Sequence, residues 1–423
     1  MTKLLGDAMR WVKRHRRSSL ALGITVVALG ALTGTGLADI FSFTGNDNDW
    51  PYATPPTPPV LAAVGDIACQ PNGPLQSEKS TDVCTGLPAA IPAQTATANQ
   101  IEAMDPNLVA LLGDEQYQNG LYQDFLGSFD HTYGAFKFLQ RPSPGNHEFY
   151  TNHGQSGDDG YGYFDYYNGT QLNADGSAVS FTGTAPGGTG TFTQPVPRPQ
   201  GQAGDFGTTG NGWYSYNLGN WHLISLNIEC AFQPGGCSPT GAWLASETQW
   251  LASDLQQDHS ACTLAYWHQP TFSPTQPAAK WTQDSTEGAA ADAWWKLLYA
   301  HGADLVLNGH DHVYSRFAPM DPAGNADPRR GIREFVIGTG GESLDTLNGD
   351  NPANTPTPNL QASEDQFYGV MKLSLLPGGY SWDFESALRS PTAPAGTPAS
   401  YSDTGGGRCH SNGNFFGNFG GVQ

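Results

Sequence analysis

Five short apolar runs in this sequence stop at residues able to hold a metal ion. "AAVGD" ends in Asp66, "ALLGD" in Asp114, and "LAYWH" in His268; "RPSPGNHE" carries Asn146 and His147, and "LVLNGHDH" carries His310 and His312. Glycine precedes Asp66, Asp114, Asn146 and His310, which lets the backbone turn sharply and approach an ion. Taken singly these motifs are modest: Gly-Asp is common, and GNHE reads equally well as a turn with a helix cap. Two imidazoles two residues apart at a strand end rarely serve packing, however, and the five endings together leave little room for chance. Oxygen and nitrogen donors without thiolates suit Fe, Mn, Zn, Mg or Ca. Seven such side chains are too many for one ion. They suit two ions sharing a carboxylate, roughly 3.5–4 Å apart.

Alternating strands and helices would position these residues. "PVLAAVGD", "PNLVALLGD", "NWHLISLNIE", "CTLAYWHQP" and "ADLVLNGHDH" read as strands. "AQTATANQIEAM", "LYQDFLGSFDHTYGAF", "SETQWLASDLQQD" and "AADAWWKLLYAHG" read as helices, the third with capping-box spacing at Ser246 and Gln249. Further strand signals follow in "IREFVIGTGG", "FYGVMKLSLL" and "GYSWDFES". This order predicts a layered α/β fold with central β-structure and outer helices. In open α/β folds a ligand site lies outside the carboxyl ends of the strands, where these donors fall. Residues 169–212, rich in Gly, Thr and Pro, read as an insertion or surface excursion, and the tail 391–423 as irregular apart from whatever anchors Cys409.

The N-terminus reads as an export signal. Six basic residues precede "LALGITVVALGALTGTGLA", which closes on the small-x-small site Gly36-Leu37-Ala38. An uncleaved membrane anchor is the alternative for residues 1–38, because the run is nearly long enough to span. Arg16-Arg17 is a weak twin-arginine hint. Residues 39–58 form a Pro-rich linker, so the folded domain is expected over 59–390. Without residues 1–38 the formal charge would move from −20 to −25. Such a body repels nucleic acid and anionic membranes, so no nucleic-acid partner is expected, and a membrane only if the N-terminal segment is retained. The composition leaves the oligomeric state open. An anionic substrate would need a local reversal of field, which multivalent cations supply. Six cysteines in an exported chain suggest three disulfides, expected as Cys69–Cys84, Cys230–Cys237 and Cys262–Cys409.

The ordered set GD…GDxxY…GNHE…H…GHxH resembles the calcineurin-like metallophosphoesterases, and within them the purple acid phosphatase branch. The resemblance spans roughly Val60 to Phe384. It implies a four-layered αββα sandwich and a secreted phosphatase that hydrolyses small phosphate monoesters by attack of a metal-activated hydroxide. Phosphodiester or nucleotide cleavage on the same core, or a non-catalytic binding role, are the alternatives. The implied ligands of metal A, usually ferric iron, are Asp66, Asp114, Tyr117 and His312. Those of metal B, an Fe, Zn or Mn ion, are Asp114, Asn146, His268 and His310, with Asp114 bridging. Most of the superfamily opens with D-x-H, whereas this chain has Asp66-Ile67-Ala68. The purple branch uses the tyrosine of G-D-x-x-Y instead, and a phenol ionises readily only beside a strong Lewis acid. That branch usually has glycine where Ala68 sits, which leaves the metal identity open.

His147 is expected to protonate the leaving oxygen or to bond the phosphate, with Asn146 beside it and His153 a weaker substrate contact. Glu148 either orients His147 or solvates the loop. His222 is expected in the core, packed or bonded to backbone; His301 at a helix end; and His131, His259 and His410 on the surface. Asn168-Gly169-Thr170 fits a glycosylation sequon.

Overall fold

Continuous apolar runs such as Val60–Val64 (VLAAV) and Leu108–Leu112 (LVALL) are buried along nearly their whole length, as strands covered on both faces must be. The computed structural model describes residues 57–71, 83–84, 92–150, 160–184, 191–195, 211–275, 287–347 and 357–410. The expected export signal, most of the linker, His153 and the chain beyond 410 lie outside these residues. In chain order the strands are β1 (Val60–Val64), β2 (Gln70–Pro71), β3 (Val83–Cys84), β4 (Leu108–Leu112), β5 (Gln140–Ser143), β6 (Ser180–Thr184), β7 (Thr191–Pro195), β8 (Tyr214–Leu218) and β9 (Trp221–Ser225). They continue with β10 (Cys262–Tyr266), β11 (Leu305–Asn308), β12 (Tyr314–Phe317), β13 (Arg333–Ile337), β14 (Leu360–Glu364), β15 (Phe367–Leu376), β16 (Gly379–Arg389) and β17 (Ser402–Arg408). The longer helices are α1 (Pro92–Met104), α2 (Tyr161–Asn168), α3 (Ala242–Gln257) and α4 (Gly288–Ala300).

Two mixed sheets carry the fold, one ordered β17-β16-β15-β1-β4-β5 and the other β14-β12-β13-β11-β10-β9-β8. β1, β4 and β5 run parallel, as do β9, β10, β11 and β13. The later strands divide: β13 joins the second sheet, while β15 and β16 extend the first beside β1. The sheets face one another. Tyr314 stacks on Phe384 at 4.0 Å, Phe335 meets the edge of Trp382 at 5.5 Å, and Trp221 Nε1 donates to the Leu376 carbonyl at 2.9 Å.

Helices cover the outer faces. Gln100 of α1 bonds backbone of both β15 and β16. On the other side Leu244, Leu251 and Leu255 of α3 recur at helical spacing and enter one cluster with Trp294, Trp295 and Leu298 of α4 and with Trp267 and Val306 of the sheet. The result is the expected four-layered αββα sandwich.

Several local expectations change. The helix expected over Leu121–Phe136 is broken into an α turn (Tyr122–Asp124), a π segment (Phe125–Phe129), a second α turn (Asp130–Thr132) and a 3₁₀ segment (Tyr133–Leu139). α3 begins at Ala242, so Ser246 is not its cap; its hydroxyl donates back to the Ala242 carbonyl inside the first turns. The Gly/Thr-rich 169–212 stretch contains a β6–β7 hairpin. The tail is not irregular throughout, because β17 pairs antiparallel with β16. Its sequence, SDTGGGR, hid it: a Cβ at Gly405 would stand 2.2 Å from the Trp382 ring, and one at Gly407 2.4 Å from Tyr380. Glycine here makes room for two aromatics of the neighbouring strand.

Cys230–Cys237 and Cys262–Cys409 are formed as expected. Cys69 is disulfide-bonded too, while the side chain of Cys84, its expected partner, lies outside the described residues. Asn168 is only 2% exposed, and Thr170 donates to Asp165, so the sequon is closed to a glycan in the folded chain.

Candidate metal centre

Every candidate donor follows the carboxyl end of a parallel strand. Asp66 lies two residues past β1, Asp114 two past β4, Asn146 three past β5, His268 two past β10 and His310 two past β11. Three of them, Asp66 (φ 59°), Asp114 (φ 50°) and His310 (φ 70°), themselves hold the left-handed backbone, so the turn does not rest on the preceding glycines alone. Two of those glycines create space. A Cβ at Gly145 would fall 2.3 Å from Asp114 Oδ1, and one at Gly309 2.7 Å from Asp66 Oδ2.

Each carboxylate is anchored by one oxygen and presents the other. Asp66 Oδ2 accepts from the His310 N–H at 2.9 Å, and Asp114 Oδ1 from the His147 N–H at 2.9 Å. Around the presented oxygens two groups of donors form. In the first, Tyr117 Oη lies 2.9 Å from Asp66 Oδ1, 3.1 Å from Asp114 Oδ2 and 3.0 Å from His312 Nε2. In the second, His268 Nε2 lies 3.1 Å from Asp114 Oδ2, and His310 Nδ1 stands 3.1 Å from Asn146 Oδ1 and 3.3 Å from His268 Nε2. The two groups meet at Asp114 Oδ2.

Imidazole tautomers follow from partners that can only accept. His268 Nδ1–H donates to the Leu112 carbonyl at 2.8 Å and His312 Nδ1–H to that of Ser343 at 2.6 Å, so both turn Nε2 inward. Asn146 Nδ2 donates to Tyr150 Oη at 2.7 Å, which directs Oδ1 to the second group. These supporting residues escaped the sequence reading. Tyr150 alone carried a signal there, an aromatic four residues after Asn146.

Ala68, where the D-x-H histidine would stand, is fully buried and bridges backbone with Gln116, beside Tyr117. The phenol thus enters from the next loop. Burial and the carboxylates of Asp114 and Asp66 push its pKa well up. Burial pushes Asp114 up too, but His268 and His147 overcome this and hold it well below the carboxylate range. Burial lowers His268, yet Asp114 beside it raises it to about 10; burial, then His268, takes His310 down to about 3. Oxygen and nitrogen atoms that carry lone pairs converge here to about 3 Å of one another. This set matches two hard or borderline cations, so the residues fit the implied metals.

His147 sits at the rim, its side chain 19% exposed, its ring held at a tilt between those of Tyr117 (4.3 Å) and Tyr150 (4.7 Å). Nδ1–H donates to the Gln118 carbonyl at 2.7 Å, leaving Nε2 facing Asp114 Oδ2 at 3.8 Å. Glu148 neither orients His147 nor solvates the loop. Fully buried, its carboxylate accepts the N–H groups of Gly145 (2.8 Å), Asp114 (3.0 Å) and Gln116 (3.1 Å), tying the β4 and β5 loops together. It also caps the 3₁₀ turn Asn146–Phe149. The turn-and-cap reading of GNHE therefore holds in the structure.

Other histidines lie away from this centre. His222 is in the core but bonds a side chain, Asp254 Oδ2, at 2.7 Å. His301 caps α4, and His131 and His259 are exposed. His410 is not a free surface residue: its ring pairs with Asp304 at 3.1 Å.

Residues 61–314 match the profile of the calcineurin-like phosphoesterases. The chain belongs to that family. Among curated relatives, purple acid phosphatase 15 of Arabidopsis thaliana is 28% identical over 198 residues, covering 43% of this chain and 33% of that protein. Acid phosphatase A of Cryphonectria parasitica is 26% identical over 152 residues, covering 32% of this chain and 29% of the relative. The chain thus spans about a third of the length of these relatives. A purple acid phosphatase from yellow lupin (Lupinus luteus) seeds shares the fold, with a TM-score of 0.50 at 14% identity, covering 81% of this chain and 53% of that one. As a calcineurin-like phosphoesterase with purple-acid-phosphatase likeness, the chain has a family context that implies two metal ions.

Proposed function

We propose that this chain is a secreted metal-dependent phosphatase acting on small phosphate monoesters. The observation that carries the reading is the meeting of two donor groups at one carboxylate oxygen, Asp114 Oδ2. Asp66, Asp114, Tyr117 and His312 would hold one ion, and Asp114, Asn146, His268 and His310 the other. Tyr117 favours Fe(III) at the first and leaves Fe, Zn or Mn for the second. When bound, such a pair supplies Lewis acidity toward a phosphoryl group and lowers the pKa of water toward neutrality.

The chain's own residues do the rest. Leu112 and Ser343 carbonyls hold His268 and His312 in the tautomer that directs Nε2 inward. His147, beside both groups and partly open to solvent, donates a proton from Nε2 to the leaving alkoxide or binds a phosphate oxygen. Phosphoryl transfer needs positioning and electrostatics more than covalent chemistry, and buried Asp114, Asn146 and His268 supply rigid placement. Export fits the disulfides, which persist in oxidising compartments. No helix among the described residues is long and apolar enough to cross a membrane.

The test is elemental analysis with an absorption spectrum, followed by turnover of an aryl phosphate against a bis-aryl phosphate. Two ions per chain and preference for the monoester support the reading. Preference for the diester would replace the substrate class, and protein that binds no metal would end it.

A further inference from the structure

The second sheet has two ends. Its carboxyl ends carry the metal centre; its amino ends carry two adjoining cavities of about 470 and 700 Å³ that share Arg329 and His410. The larger is bounded by Asp304 just before β11, Arg333 at the start of β13, Arg408 at the end of β17, and Tyr380 of β16. Arg330 and His301 border the smaller. In a chain with 39 acidic and 19 basic residues, this gathering of cations is against the trend.

Acids that could neutralise the cluster are already engaged. Asp304 is buried; its Oδ2 accepts the Thr263 N–H at 2.9 Å, and Oδ1 accepts the His410 N–H at 2.6 Å and faces the His410 ring. Asp327 accepts the backbone N–H groups of Arg329 and Arg330 at 3.1 Å each and the Tyr299 hydroxyl at 2.7 Å, which fixes the turn. Arg330 lies over the Tyr299 ring at 4.8 Å. Arg333 Nη1 donates to Phe317 and Gln361, and its buried Nε has no hydrogen-bond partner among the described residues. Neither Arg329 nor Arg408 makes an ion pair or side-chain hydrogen bond among the described residues, whereas Arg316 nearby is paired with Asp403. The Cys262–Cys409 disulfide pins Arg408 and His410 to the sheet end.

Exposed guanidinium groups gathered along one concave surface match a tetrahedral oxyanion, and Arg binds phosphate-type groups bidentately. We propose that this cavity binds a phosphate-class oxyanion through Arg329 and Arg408, separately from the metal centre. The anion is either a free ion or a group on a larger molecule whose body rests on Tyr380 and Pro319.

Calorimetric titration of the metal-loaded protein with inorganic phosphate and with phenylphosphonate, whose C–P bond resists hydrolysis, tests this. Wild type is expected to show two classes of site, only one of which inhibits aryl phosphate turnover. Arg329→Gln/Arg408→Gln should lose the non-inhibitory class by tenfold or more in affinity, with turnover and melting temperature unchanged. Arg329→Lys/Arg408→Lys should retain only part of it, since an ammonium keeps the charge but not the bidentate fork. Tighter phenylphosphonate points to a larger carrier, and equal binding to the free ion. A Gln variant that keeps every class of site the wild type shows overturns the proposal whatever the fate of the metal centre.

Discussion

Tyr117 is the side chain proposed to stand in for the absent D-x-H histidine. Its oxygen lies within about 3 Å of Asp66, Asp114 and His312, although its loop differs from the one that would have carried the lost histidine. Tyr117→Phe should abolish any visible ligand-to-metal absorption and lower iron content; an unchanged spectrum and metal content would remove the ligand role. His147→Ala should spare both ions and cut turnover about 10²–10⁴-fold, the usual contribution of a positioned proton donor. A parallel fall in metal content would move His147 into the coordination sphere. Backbone shape constrains such experiments. Asp66 and Asp114 hold positive φ, which asparagine tolerates better than alanine, so Asp→Asn variants separate loss of charge from loss of loop geometry. Asp66, Asp114, His268 and His310 were legible in the sequence because each follows an apolar strand; Asn146, after the polar β5 (QRPS), was legible through its GNHE motif. Glu148 was not, because a carboxylate that gathers N–H groups from two loops has no pattern of its own.

At the scale of elements, the strands and outer helices were legible wherever apolar spacing was strong. The exceptions share a cause: packing against a partner overrode local pattern. β17 has almost no apolar residues, because Trp382 and Tyr380 occupy the space its side chains would need. The segment 122–139 shows helical spacing but is broken into turns, and at its start lies Asp124, 7% exposed. Its Oδ2 has no hydrogen-bond partner among the described residues, and burial raises its pKa from 3.8 to about 7. The folded chain therefore holds a proton there that the unfolded chain releases between about pH 4 and 7. By linkage this contribution to stability is greatest at the acid end of that window and falls as pH rises through it. Asp124→Asn, which cannot titrate, should flatten the decline between pH 4 and 7 in denaturant melts. An unchanged slope would show that Asp124 is ionised in the fold.

Across the whole molecule, metal loading should change stability as well as activity. Chelation should lower the melting temperature, since ions bound only by the folded state add to its stability. Turnover should return on addition of iron with zinc or manganese. An unaltered melting temperature after complete metal removal would contradict the donor geometry. The donors come from both sides of the sandwich: Asp66, Asp114 and Asn146 follow strands of one sheet, and His268 and His310 strands of the other. A shared ion would act as a rivet through the two layers. Heat inactivation would then begin with a small slip of one layer over the other that drops the cargo, before any hydrophobic surface is uncovered, and cooling with fresh metal would restore the enzyme at that stage.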